Sequence, residues 1–147
     1  VAGASAQSFN PHACTDITGF GLLGHHIEMV EASSKSLTIT LKQSQIPALP
    51  GSLACLEQGI TSSLQDRNAQ LQNQVSPWRS PLSPQQALLV DPQTSGGLLI
   101  AAPEQDTMML LKQLHQAGYK DAAVIGTVSD SSNSQASAPD RPILLKS

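Results

Sequence analysis

The sequence predicts an α+β domain in which helices cover one face of a mainly antiparallel or mixed sheet. Three observations lead there. Some segments repeat their apolar residues with a helical period and others with the period of two of a half-buried strand. The two kinds are mixed without strict βαβ alternation, which argues against a parallel doubly wound sheet. Finally, 39% of the 147 residues are hydrophobic but only 3% are aromatic, so one core must be built from Leu, Ile, Val, Ala and Met.

Between Thr18 and Ala32, the residues Leu22, Leu23, Ile27 and Val30, with His26 among them, share one helical face. Leu37, Ile39 and Leu41 then alternate with Thr38 and Thr40, a strand pattern rich in β-branched residues. Pro47 and Pro50 break the run Ile46 to Gly51, after which Leu53 to Gln58 predicts a short helix stopped by Gly59. Thr61 to Gln74 is polar and amide-rich, with a weak helical stripe at Leu64, Asn68 and Leu71, and the stretch around Pro77, Pro81 and Pro84 reads as a surface loop.

Ala87–Val90 and Leu98–Ala102 are short apolar runs joined by Asp91 to Gly97, expected to be antiparallel strands, central and buried. Glu104 to Ala117 carries Met108, Leu110, Leu111 and Leu114 at helical spacing, with Gly118 as its stop. Ala122 to Val128 predicts a strand interrupted by Gly126. Ser129 to Pro139 is polar and low in complexity, and Ile143 to Leu145 is a candidate last strand. No internal repeat is visible.

Charge and composition exclude several function classes. Eight basic and eleven acidic residues leave a net charge of -3, which provides no footprint for nucleic acid or an anionic membrane. No apolar run approaches the roughly 20 residues that cross a bilayer, and no signal-like start is present, so the expected setting is cytoplasmic. Cys14 and Cys55 stand far apart without C-x-x-C spacing and are expected to be reduced thiols. The start at Val1, on Ala/Ser-rich sequence, suggests a piece of a longer protein. The expected division is a remnant of an interdomain segment over 1–12, an α+β domain over 13–129, and a Ser-rich loop with a candidate last strand over 130–147.

Gly19-Phe20-Gly21-Leu22-Leu23-Gly24 satisfies G-x-G-x-x-G, a pattern that brings backbone amides and a helix start to a pyrophosphate. The context fails: Phe9 to Ala13 is a poor strand broken by Pro11, and Lys42 and Gln43 follow the next strand where an acidic ribose ligand belongs. The glycines then serve a tight turn and close helix packing. Asp16 either caps free amides ahead of the helix or reaches outward as a hard oxygen ligand for magnesium, and spacing alone favours the cap. Thr15 and Thr18 read as local hydrogen-bonding residues.

His12, Cys14 and Asp16 alternate and could face one way, yet without a second cluster they make an underspecified metal site. Of the adjacent histidines, His26 reads as a packed helix residue and His25 as a polar contact at the domain surface. Thr94, Ser95, Gly96 and Gly97 could form a nest of amides and hydroxyls for a phosphate, against the simpler reading of a structural turn. Trp78, alone among prolines, pins its loop rather than stacking a base.

The string A-C-T-D-I-T-G-F-G-L-L-G-H over residues 13 to 25, followed by Glu28 and Met29, resembles the start of the second domain of selenophosphate synthetases. D-P-Q-T-S-G-G-L-L, from Asp91 to Leu99, resembles the other signature of that domain. Ile46 to Gly51 and Ile125-Gly126 fit the same order, so the likeness covers about residues 13 to 128.

The resemblance implies a carboxy-terminal domain of the aminoimidazole-ribonucleotide-synthetase-like superfamily, paired with an amino-terminal ATP-binding domain and forming a homodimer. It implies the making of selenophosphate, AMP and phosphate from selenide, ATP and water. It also implies that Asp16 helps bind Mg2+ on the nucleotide, which reverses the preference for a cap. The family's Cys or selenocysteine nucleophile, its neighbouring Lys and the other metal-binding aspartates belong to the upstream domain. Cys14 does not take that nucleophile's place, and the 147-residue chain by itself is expected to be inactive. A non-catalytic dimerisation or partner-binding module of the same fold is the alternative, and a thiamine-monophosphate-kinase-like relative is a third.

Overall fold

The aliphatic stripes meet between a four-stranded sheet and two helices in the structure, a computed structural model describing residues 2–131 and 142–146. In chain order the elements are α1 (Ala2–Gln7), β1 (Ala13–Asp16), α2 (Gly21–Glu31), β2 (Leu37–Lys42), α3 (Ser52–Glu57), α4 (Gln65–Asn68), β3 (Val75–Ser76), α5 (Pro84–Val90), β4 (Leu98–Ala101), α6 (Glu104–Gln116), β5 (Gly126–Asp130) and β6 (Ile143–Lys146). The larger sheet has the order β3-β6-β2-β5. In it β2 runs antiparallel to β5 and parallel to β6, and β6 runs parallel to β3.

The period of two in Leu37 to Leu41 has the predicted result. Ile39 and Leu41 are buried on the face that meets Leu23 and Ile27 of α2 and Leu89 and Val90 of α5, with Val75, Ile143 and Leu145 completing the cluster. Trp78 packs partly buried against this cluster and so pins its loop, as read from the sequence. The fold class is therefore α+β with a mixed sheet. β6, a terminal candidate in the sequence, lies inside the sheet between β3 and β2.

Three elements differ from expectation. Ala87–Val90 is not a strand but the end of α5, because Ser83 caps the helix by accepting from the Gln86 N–H at 3.3 Å and Pro84 occupies the first turn. A four-residue apolar run has no readable period, so the cap decides. Leu98–Ala101 consequently pairs not with that run but with β1, in a separate two-stranded sheet, and Leu98 is 44% exposed rather than buried. β5 starts at Gly126 instead of ending just past it. A Cβ there would lie 2.3 Å from the Thr40 carbonyl oxygen, so glycine lets the strands close rather than interrupting one. The polar stretch 129–139 and the candidate tail fall partly outside the described residues.

α1, for which no period was seen, lies against α6 and β4, with Ala6 1% exposed and the Ala2 amide donating to the Tyr119 hydroxyl at 3.2 Å. α6 buries Leu110 and Leu114 and leaves Met108 and Met109 exposed. Among the described residues no helix is long and apolar enough to cross a membrane, and Cys14 and Cys55 are both free thiols.

His26 is packed in the helix, as the sequence implied. It is buried, and its Nδ1 donates to the Leu22 carbonyl at 2.8 Å. Burial lowers its pKa below the ordinary 6.5, the bond to Leu22 opposes that shift, and neighbouring His25 adds to it. The unfolded chain thus takes up a proton at this residue more readily than the folded one. Stability from His26 is complete above pH 6.5 and falls as the pH drops from there through the lowered folded value. Denaturant titrations between pH 7.5 and about 5 should show this loss, and His26→Gln should flatten the slope over that window.

A second prediction concerns the turn before β4. A Cβ at Gly96 would sit 2.2 Å from the Ile17 carbonyl oxygen, whereas one at Gly97 meets nothing within 4 Å. Gly96→Ala should cost about 1–3 kcal/mol or more in urea denaturation, and Gly97→Ala less than about 1 kcal/mol.

Candidate functional site

The two strings that the sequence singled out are joined edge to edge. β1 and β4 pair antiparallel with Ala13 opposite Ala101, Cys14 opposite Ile100, Thr15 opposite Leu99 and Asp16 opposite Leu98. The pairing continues beyond the strands: the Ile17 N–H donates to Gly97 O at 2.9 Å, and the Gln93 N–H donates to Thr18 O at 3.0 Å. Gly96 rests on the Ile17 carbonyl, so its lack of a side chain is a packing requirement. Gly21, at φ +69°, brings the start of α2 against the backbone of Leu89 to Asp91, where a Cβ would lie 3.0 Å from three main-chain atoms.

A strand does precede the glycines, contrary to the sequence reading: Pro11 breaks the stretch Phe9 to Ala13, but β1 begins two residues after it and runs over Ala13–Asp16. The dinucleotide reading still fails, now on topology. Among the described residues β1 has only an antiparallel partner, and the next strand, β2, belongs to the other sheet.

Asp16 is exposed at the end of β1, and its carboxylate has no hydrogen-bond partner among the described residues. It does not cap α2: Phe20 holds that position without a side-chain cap bond, because the strand runs through Asp16 and the helix starts only at Gly21. What remains is a solvent-facing hard oxygen donor on a strand end fixed by main-chain bonds. His12 and Cys14 are also exposed along this edge, yet no group of three His, Cys, Asp or Glu residues among the described ones is placed to hold a metal ion. Asp16 therefore fits a metal as one contributing ligand and not as part of a complete site.

Thr94 and Ser95 are exposed, and the amides of Thr94 to Gly97 donate to no described group, while the Gln93 amide is already used by Thr18. Asp91 is held by Gln93, whose Nε2 donates to its Oδ2 at 3.1 Å and its carbonyl at 3.3 Å. Thr15 Oγ1 bonds locally to the Asp16 carbonyl at 3.4 Å, as expected for such a residue. Two shallow surface hollows lie elsewhere. One runs along α6 by Met108, Leu111 and His115, the other beside Trp78, Arg79 and Asp66, and neither includes Asp16 or residues 91–97.

Two residues near the site escaped sequence reasoning. His25 is 6% exposed and so is no surface contact. Its Nε2 accepts from the Thr18 N–H at 3.0 Å and lies 3.0 Å from Thr18 Oγ1, and its Nδ1 is 2.8 Å from Glu28 Oε2. Because a backbone N–H can only donate, Nε2 is the acceptor and Nδ1 carries the proton toward Glu28. The signal available in the sequence was the His25/Glu28 spacing of three on a helix. Asn68, buried, donates through Nδ2 to Gly19 O at 2.9 Å and Val90 O at 3.0 Å, tying the glycine turn to the end of α5. Its place on the weak stripe with Leu64 and Leu71 gave little signal, since Leu64 on the same stripe is 48% exposed.

The family model for the carboxy-terminal domain of AIR synthase related proteins matches residues 1–138. The chain is similar to selenide, water dikinases: 42% identical over 116 residues to that of Pseudomonas straminea, covering 78% of this chain and 32% of the relative. The protein of Rhizobium meliloti (strain 1021) is 40% identical over 125 residues, covering 80% and 34%. That of Clostridium botulinum (strain Eklund 17B / Type B) is 36% identical over 137 residues, covering 92% and 36%. The chain spans about a third of the length of these curated relatives. With a family match across nearly its whole length and an α+β fold in which both signature strings form one unit, the chain belongs to the family of AIR synthase related protein carboxy-terminal domains.

Proposed function

We propose that this chain is the carboxy-terminal domain of a selenide, water dikinase, an ATP-dependent phosphotransferase that makes selenophosphate, AMP and phosphate from selenide, ATP and water, and that Asp16 supplies one oxygen ligand to the accompanying Mg2+. The observation that carries this reading is the exposed, unpaired carboxylate of Asp16 at the edge where the two signature strings are bonded together. Similarity to selenide, water dikinases over most of the chain supports the reaction class.

Bound magnesium neutralises phosphate oxygens and aligns the groups exchanged in phosphoryl transfer. Asp16 contributes charge and a fixed oxygen from its strand end. Thr94 and Ser95, with the amides of the 94–97 turn, are the groups assigned to phosphate oxygens; that these amides donate to no described group supports the assignment, while the Gly96 Cα packs against Ile17. The remaining metal ligands, the nucleophile and most of the ATP site belong to the amino-terminal ATP-binding domain of the same enzyme, which acts as a cytoplasmic homodimer.

The test is made in the full-length enzyme that contains this domain. Asp16→Asn should raise the magnesium concentration for half-maximal AMP formation by about tenfold or more. An unchanged magnesium requirement and turnover removes Asp16 from the metal site. The purified 147-residue chain should form no AMP from ATP and selenide, and substantial selenide-dependent AMP production by it overturns the division of labour between domains.

A further inference from the structure

Glu28, His25 and Thr18 form a hydrogen-bonded row that invites comparison with a nucleophile, base and orienting acid. The order of atoms is right, but the imidazole is already engaged. The single lone pair of Nε2 receives the Thr18 backbone N–H, so it is not free to take the Thr18 hydroxyl proton. The row fixes main chain instead.

Thr18 is the joint of the site. Its carbonyl accepts from the Gly21 and Gln93 amides, each at 3.0 Å, so it ties the turn into α2 to the turn before β4. Its N–H, two residues past Asp16, would otherwise lie part-buried without a partner, and His25 supplies that partner from inside α2. Glu28 holds the far side of the ring at 2.8 Å, and the Phe20 ring lies 5.8 Å from it, centroid to centroid. Both ring nitrogens are thereby committed, and the imidazole has one orientation.

We infer that His25 is a positioning residue for Asp16: by holding the Thr18 amide it sets the path of the chain leaving β1 and thus where the Asp16 carboxylate points. The inference rests on the reading of Asp16 as a magnesium ligand and deepens it. His25 touches neither metal nor nucleotide. It acts through Thr18, which is anchored on its other side by Gln93.

The test uses the full-length enzyme with Mn2+ as the probe, its dissociation constant read from the electron paramagnetic resonance of free Mn2+ in the presence of a non-hydrolysable ATP analogue. His25→Leu, which removes the acceptor, should weaken Mn2+ binding by about fivefold or more, while His25→Gln, whose amide oxygen reaches the place of Nε2, should restore most of the affinity. In the Asp16→Asn background, His25→Leu should add less than about twofold, because its effect runs through the carboxylate already removed.

Thermal unfolding of each variant separates loss of fold from loss of position, and His25→Gln keeps the test decisive if His25→Leu does not fold. Then Mn2+ affinity near wild type in His25→Gln, together with a loss on Thr18→Pro, which deletes the same N–H, supports the inference; wild-type affinity in Thr18→Pro overturns it. Equal weakening by His25→Leu with and without Asp16 overturns it as well, since the histidine would then act independently. If Asp16→Asn alone leaves Mn2+ binding unchanged, the metal-ligand reading fails and the inference with it. If Asp16→Asn weakens binding and His25→Leu does not, only the inference fails.

Discussion

The antiparallel joining of Ala13–Asp16 to Leu98–Ala101, carried on through Ile17 and Thr18, is the constraint on which the rest of the site depends. It brings together two segments separated by most of a domain's length of sequence, and it does so with main-chain hydrogen bonds, which specify register more than side-chain identity. Register then decides everything local. Asp16 falls opposite Leu98 as the last pair of the two strands, and Gly96 falls on the Ile17 carbonyl, where only a residue without Cβ fits. A slip of one residue would turn Asp16 to the half-buried face and move Gly96 off that carbonyl.

Buried amides hold the surroundings of this joint. Asn68 spans the Gly19 and Val90 carbonyls, Gln65 Nε2 donates to Ala87 O at 3.2 Å, and Gln86 Nε2 donates to Pro77 O at 3.1 Å. These are the carbonyls left over where α5 ends and where loops cross the core, groups that cost about 1–3 kcal/mol each if buried unpaired. The amide-rich stretch Thr61 to Gln74 thus supplies Gln65 and Asn68, and α5 supplies Gln86, to close loops over an aliphatic core. Gln65 Oε1 and Gln86 Oε1 have no partner among the described residues, so the donors of these side chains, not their acceptors, are what the fold uses.

The two adjacent histidines show how one turn of helix separates roles. His26 faces the core, donates to its own helix and is kept neutral by burial. His25, one position earlier and rotated about 100° around the axis, faces the strand-to-helix turn and serves Thr18 instead. Both are buried, so neither exposure nor composition distinguishes them. Only the direction of each side chain does.

By itself the sequence determined the fold class, the elements with a clean period (α2, β2 and α6), the aliphatic core and the two signature strings with Asp16 in the first. Each follows from local spacing or local identity, which a linear reading can see. The tertiary structure decided the rest. It turned Ala87–Val90 into a helix end because a capping serine and a proline precede a run too short to show a period. It gave β4 the partner β1 rather than its sequence neighbour, and set β6 inside the sheet. It also left Asp16 a free carboxylate, where spacing alone favoured a cap and the family resemblance an outward ligand, and turned His25 from a surface residue into a buried support, because the partners of both groups are set by which distant backbone closes against them, and pairing over such distances leaves no period along the chain.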